Sequence, residues 1–191
     1  MKKIWIVIIV IIAIISIWGI STYNAFVRRQ ESVKKAWGQV ENVYQRRADL
    51  IPNIVTVVKQ YVEYEQSTLI AVTEARAKAS ASSINIDEVE SLDSFETAQD
   101  GLTQSIGRLL VNVENYPDLK ANEEYLALQA QLTGCENRIT IERERFNETA
   151  KSYNQMVRRF PSSIIAKMFG FEKRAYFEAT TENADTVPTT F

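Results

Sequence analysis

The stretch from Tyr125 to Val157, YLALQAQLTGCENRITIERERFNETAKSYNQMV, decides how the rest of the chain is read. Tyr125, Leu128, Leu132, Cys135, Ile139, Phe146, Tyr153 and Val157 recur at spacings built from threes and fours. That is the repeat of one stripe on an α-helix; a strand would alternate every second residue. At 1.5 Å per residue this helix is about 50 Å long. Its other faces are charged, so the stripe needs partners of comparable length.

Three such partners lie upstream. Phe95, Leu102, Ile106, Leu109 and Val113 form one stripe. Gly101 and Gly107 inside it cost about 1 kcal/mol each against alanine, and their small size would permit close helix approach. Tyr116-Pro117-Asp118 ends this helix, because Pro117 pushes Tyr116 out of the helical region. Before it, Ile51, Ile54, Val55, Val58, Tyr61, Val62, Leu69 and Val72 make a wide apolar face running into Ala75, Ala77, Ala79 and Ala81. The serine-rich residues 80–85 read as a loop, with Asp87 or Asp93 capping the helix after it. Earlier still, Phe26, Val33, Trp37, Val40 and Tyr44 make another stripe. Asp49-Leu50-Ile51-Pro52 reads as a stop and restart, with Pro52 in a new first turn; the alternative is one kinked helix.

Six glycines, four prolines and no alternating apolar run complete an all-α reading: an antiparallel four-helix bundle over residues 23–177, with Cys135 as a small apolar core residue. Pro161 closes the last long helix. Ser162 to Phe171 reads as a short helix that caps the bundle end or meets the membrane. Residues 178–191, polar and containing Pro188, read as a disordered tail.

In front of the bundle, Ile4 to Ile20 is a run of 17 residues without a charge. As a helix it spans roughly 25 Å, and Ser21, Thr22 and Tyr23 extend it towards the ~30 Å of a hydrocarbon core. Residues 1–22 therefore read as one transmembrane anchor, with Trp5 and Trp18 near its ends where indoles favour the interface. The rival is a cleaved signal with Gly19-Ile20-Ser21 as its site, although the run exceeds the ~7–15 residues usual for one. A lipoprotein anchor is excluded, since no cysteine follows the run. Lys2 and Lys3 face Arg28, Arg29, Lys34 and Lys35 across the span, and the slight excess after it favours a cytoplasmic bundle on a single-pass inner (cytoplasmic) membrane protein.

Composition excludes several chemistries. The 191 residues include no histidine, which removes imidazole bases, imidazole metal ligands and histidine pH switches. One cysteine excludes internal disulfides. With 22 basic and 24 acidic side chains there is no footprint for nucleic acid. Glu142, Glu144 and Glu148 sit among Arg143 and Arg145, but bundle di-metal sites use Glu-x-x-His pairs, so a laced solvent face is the reading and no metal or other cofactor is expected.

Several strings together resemble the LemA family of membrane-anchored bacterial helical proteins. They include Ala36-Trp37, Arg46-Arg47-Ala48-Asp49-Leu50-Ile51-Pro52-Asn53, Val72-Thr73-Glu74-Ala75-Arg76, Gly107-Arg108-Leu109-Leu110, Tyr116-Pro117-Asp118-Leu119-Lys120-Ala121-Asn122 and Glu136-Asn137-Arg138-Ile139. Tyr153-Asn154, Phe160-Pro161 and Phe169-Gly170-Phe171 come after them in the same order. Where the family often has histidine, this chain has Ala48 and Glu65. The resemblance implies a short N-terminal tail, one membrane helix and an antiparallel bundle, with no catalytic residue to carry over. It also implies a general association with the cell envelope and, in some relatives, with the organisation of internal membranes.

Two sets of residues are candidates for function. Arg47, Glu65, Arg108, Glu136 and Arg138 lie beside apolar stripes and are read as members of a partly buried inter-helix network; independent surface pairs are the alternative. Ile164, Ile165, Met168, Phe169 and Phe171 are read as a partner or membrane contact, with packing on the bundle end as the alternative. The expected function is a non-enzymatic scaffold or interaction module of the cell envelope. Its expected associates are membrane lipid through residues 4–20 and a protein partner or second copy. The competing readings are a membrane-tethered stress or ligand sensor and a carboxylate-dependent hydrolase.

Overall fold

A single helix, α1 (Lys2–Lys59), contains both the apolar run and the first arm of the bundle. The computed structural model describes residues 2–62, 66–81 and 89–177. These form five more helices: α2 (Gln66–Ala81), α3 (Val89–Val113), α4 (Pro117–Lys120), α5 (Glu123–Arg158) and α6 (Ser162–Phe169). Among the described residues there is no strand. At 1.5 Å per residue α1 is about 87 Å long and α5 about 54 Å.

The long helices alternate in direction. Arg29 meets Ser152, Arg47 meets Glu136 and Tyr61 meets Asn122, so α1 and α5 run antiparallel along the whole length of α5. Thr68 with Asn112 and Ala79 with Gln99 set α2 antiparallel to α3. The result is an antiparallel bundle of α1, α2, α3 and α5, with α4 and α6 as short additions.

The stop and restart expected at Asp49-Leu50-Ile51-Pro52 is not there: α1 runs through Pro52, and the chain turns instead at Gln60 and Tyr61. Leu50, Ile51, Ile54, Val55, Val57 and Val58 are all buried, so continuing the helix keeps an unbroken apolar face in the core. That gain outweighs the loss of the hydrogen bond that Pro52 removes, and the orphaned carbonyl of Ala48 accepts from Arg76 on α2 instead.

Other boundaries reflect local chemistry. Pro117 starts the single turn of α4. Asn122 caps α5 by accepting from the Tyr125 N–H at 2.9 Å. Gly170, with φ of 71°, ends α6 in the left-handed conformation that only glycine adopts without strain. Asp93 is not a cap, since α3 already begins at Val89; Asp87 lies outside the described residues. Gly101 and Gly107 do not mediate close approach either. A Cβ at either would meet nothing within 4 Å, because both turn away from the other helices.

The apolar interior is in two parts. One cluster gathers Leu50 to Val72, Leu102 to Val113 and Tyr125 to Cys135 at the end far from the anchor. The other gathers Phe26 to Tyr44, Leu92, Phe95 and Ile139 to Tyr153 near it. Into the second cluster folds an extended segment after α6, through Ala175 and Phe177.

Candidate functional site

Between the two clusters lies a polar layer centred on Arg47. Its side chain is 1% exposed, yet its guanidinium reaches groups on two other helices. Nη1 donates to Thr103 Oγ1 at 2.8 Å on α3 and to Glu136 Oε1 at 2.7 Å on α5. Nη2 donates to the Gln99 carbonyl at 3.3 Å and to the Gln99 side-chain oxygen. Gln99 Nε2 then donates to the Ala79 carbonyl at 3.3 Å, in the last turn of α2, where carbonyls lack helical partners. One arginine thus braces all four long helices at a single level.

The heptad logic behind this is visible locally. On α1, Arg47 comes after Val40 and Tyr44 and before Ile51 and Ile54, so it sits where the stripe would place an apolar residue. Gln99 occupies the equivalent place on α3, between Phe95 and Leu102. A buried polar layer matched across helices penalises every register that separates its members. The Tyr44 ring lies 5.2 Å from the Arg47 guanidinium carbon. Burial pushes the Tyr44 hydroxyl's pKa upward, against the opposing pull of the Arg143 and Arg47 charges. Arg47 Nε is buried and has no hydrogen-bond partner among the described residues.

The other members of the expected network are elsewhere. Glu136 joins the brace with 41% of its side chain exposed. Arg108 and Arg138 are exposed and make no hydrogen bond or ion pair among the described residues. Glu65 lies outside the described residues. Sequence reading missed Gln99 and Thr103, because uncharged polar residues on an otherwise apolar stripe give a weak signal. It also missed the pair of Arg143 with Glu96, which links α5 to α3. The Arg143 guanidinium also lies over the Phe177 ring, 4.4 Å from its centroid.

A second polar device holds the extended segment onto α5. Asn154 donates to the Arg174 carbonyl and accepts its N–H, both at 2.8 Å. Asn147 does the same for Phe177, both at 2.9 Å. The two amides therefore treat the segment as a neighbouring strand would. Phe177 lands against Trp37 and Phe146, with ring centroids 5.8 and 5.5 Å away. The repeat Phe146-Asn147 and Tyr153-Asn154, seven residues apart, is the signal that could have revealed the clamp.

At the anchor end, α6 lies beside the last turns of the apolar run. A Cβ at Gly19 would be 3.9 Å from Ile165 Cδ1. Tyr23 meets Phe169 edge-on at 4.9 Å, and Phe26 stacks on Phe171 at 4.7 Å. Ile165 is buried and Phe171 half-buried, so these two pack inward, whereas Ile164, Met168 and Phe169 face outward. The open cleft beside them, about 900 Å³, is lined by Trp18, Thr22, Arg29, Arg158, Arg159 and Phe160 among others.

Carboxylates do not converge on a metal-binding group among the described residues. Glu142 is paired with Arg145 at 2.7 Å along α5, while Glu144 and Glu148 are exposed. Cys135 is buried in the core.

Together these features define a class: a bundle cross-braced by buried polar side chains and continuous with one helix long and apolar enough to cross a membrane. Within that class the chain belongs to the LemA family, whose family model matches residues 36–191. It is similar to the magnetosome protein MamQ of Magnetospirillum gryphiswaldense, 26% identical over 174 residues, with 81% of this chain and 64% of that protein covered. It is also similar to the magnetosome protein MamQ 2 of Paramagnetospirillum magneticum, 23% identical over 175 residues, covering 82% and 64%. Protein LemA of Metamycoplasma hominis is 25% identical over 157 residues, covering 82% and 69%. The chain spans 64% of the length of these MamQ relatives, a little under two thirds. It is a LemA-type membrane-associated protein.

Proposed function

We propose that this protein is a non-enzymatic scaffold or interaction module, held in the bacterial inner membrane by residues 4–20 with its bundle on the cytoplasmic side. The observation that carries the reading is the unbroken course of α1 from the apolar run into the bundle. A stalk with no joint at the bilayer surface holds its outer face at a fixed height and attitude, which suits presentation to a partner. The arginines and carboxylates nearest the core support a structural role, since Arg47, Glu136, Arg143 and Glu96 are engaged with one another or with neighbouring helices. The similarity to magnetosome proteins favours a role at a membrane, including the organisation of internal ones.

The partner surface is read from exposed apolar residues on the bundle, Ile70, Val111, Leu126 and Ile141. A photo-reactive amino acid placed at Val111, Leu126 or Ile141 in the cell-expressed full chain tests this. Discrete cross-linked species, either a second copy or one recurring protein, are expected. Uniform absence of adducts from all three positions would sink the scaffold reading. The sensor reading gains from the same continuous helix, which would carry a change in the bundle to the span. It requires a small molecule that raises the melting temperature.

A further inference from the structure

We propose that the cleft at the base of the bundle is a binding site for the headgroup of an anionic phospholipid, with Arg158 and Arg159 as its principal phosphate contacts and Arg29 behind them. The inference rests on the membrane-anchored reading of the chain.

Depth is the first argument. The antiparallel register that pairs Arg29 with Ser152 and Phe26 with Tyr153 runs to the end of α5 at Arg158, and Arg158, Arg159 and Phe160 line one cleft with Trp18 and Thr22, on either side of Ile20 in α1. Ile20 is the last residue of the apolar run, and a headgroup layer is roughly 5–8 Å thick on each side of the hydrocarbon. Arg158 and Arg159 therefore stand at headgroup level. Arg29, nine residues past Ile20, stands about 13 Å further along α1 at the cleft's upper end. Trp18, at the cleft's lower end, marks the interface.

Charge is the second. The chain as a whole carries a net charge of −2, yet among the described residues no Asp or Glu lines this cleft, whereas three arginines do. The Ser152 hydroxyl accepts from Arg29 Nη1, which fixes that side chain in place. Ser162 Oγ donates to the carbonyls of Met156 at 2.7 Å and Arg159 at 2.8 Å, closing the turn that presents the other two. Guanidinium forks match phosphate oxygens bidentately.

Apolar continuity is the third. Phe160 is 77% and Met168 65% exposed, and Ile164 and Phe169 also face outward beside the span. In water four such neighbours form an unfavourable surface. At the level of Ile20 they dip into the acyl boundary as an interfacial helix does, and a lipid's headgroup is brought up to the arginines while its chains lie against Phe160 and the span.

The test uses the full chain in neutral detergent micelles, titrated calorimetrically in three arms with dioctanoyl phosphatidylglycerol, dioctanoyl phosphatidylcholine and inorganic phosphate. Saturable binding of the phosphatidylglycerol, roughly tenfold or more tighter than either alternative, is expected. Arg158→Gln with Arg159→Gln should weaken it about tenfold without moving the melting temperature, whereas lysine at both positions should keep part of it. Arg46→Gln with Arg138→Gln, on exposed positions away from the cleft, should leave it unchanged. Equal affinity for the two lipids, or indifference to the glutamine pair, overturns the site. Phosphate binding as tightly as phosphatidylglycerol overturns its assignment to lipid. A failure here leaves protein cross-linking through Val111, Leu126 or Ile141 as it was, so the two readings fall separately.

Discussion

Arg76 Nε on α2 donates a 2.7 Å hydrogen bond to the carbonyl oxygen of Ala48 on α1. In an uninterrupted helix that carbonyl would accept from the N–H four residues on, but residue 52 is proline and has none. Ala48 is buried, so water is a poor substitute. The arginine of the next helix thus repairs the break in the first, and in doing so ties α2 to α1.

Arg76→Met should therefore destabilise the protein by about 1–3 kcal/mol, the cost of a buried acceptor left without a donor. In a Pro52→Ala background the helical N–H returns, and the same substitution should cost less by about 1 kcal/mol. Denaturant melts of the four combinations measure the coupling. Strict additivity would show that the two residues act independently.

Arg47→Met removes the hub of the brace and leaves Gln99 and Thr103 without their shared donor. A loss of about 3–5 kcal/mol is expected. Glu136→Gln keeps an acceptor for Nη1 but strips the buried Arg47 guanidinium of its counter-charge, so a smaller loss of about 1–3 kcal/mol is expected. Arg108→Gln and Arg138→Gln should stay within about 0.5 kcal/mol of the parent. Chemical denaturation of the four variants ranks them, and a cost at Arg108 equal to that at Arg47 would remove the brace's special standing.

Much of this arrangement was legible in the sequence, and the limits have physical causes. The stripe from Tyr125 to Val157 and the one from Phe95 to Val113 marked helices that the structure places as α5 and α3, since amphipathic periodicity is set by burial alone. The helix break was misplaced because Pro52 is a strong local signal, whereas the compensating Arg76 is distant in sequence and brought near only by packing. Arg47 stood out as a charge on an apolar stripe, but its partners Gln99 and Thr103 carry no charge to flag them. The docking of Arg174 and Phe177 could not be read from periodicity, because an extended segment held by side-chain amides has none.

Asn154→Leu should release the segment that ends at Phe177. Hydrogen exchange at the Arg174 and Phe177 amides should rise by at least about tenfold, with a stability loss of about 1–3 kcal/mol from two vacated backbone groups. Unchanged protection at those two amides would mean that the ring contacts alone hold the segment.

Tyr153 is buried, and its hydroxyl has no hydrogen-bond partner among the described residues. Burial pushes its pKa up, as it does for Tyr44 and Tyr125. Well below pH 10 all three are protonated whether folded or unfolded, so they add no pH dependence there. As pH rises past 10 the unfolded chain loses these protons while the fold retains them, so the unfolded state binds fewer protons and stability falls. Tyr153→Phe should be neutral or stabilising by about 0.5–1 kcal/mol near neutral pH and should shallow the alkaline decline. A steeper decline in that variant would contradict the assignment.

Gly101→Ala and Gly107→Ala should each stabilise α3 by about 0.5–1 kcal/mol, since the added methyl meets open space. Thermal melts decide it, and a loss at either position would indicate a contact made by something beyond this chain.

The uninterrupted course of α1 has a mechanical consequence. Each residue advances a helix by about 100°, so one residue inserted between the span and Phe26 would swing the whole bundle through more than a quarter turn about the bilayer normal. Placed between Tyr23 and Phe26, it would also separate Tyr23 from Phe169 and Phe171 while leaving Phe171 stacked on Phe26. The azimuth of everything the bundle displays is therefore written in the rotation of the apolar N-terminal part of the same helix.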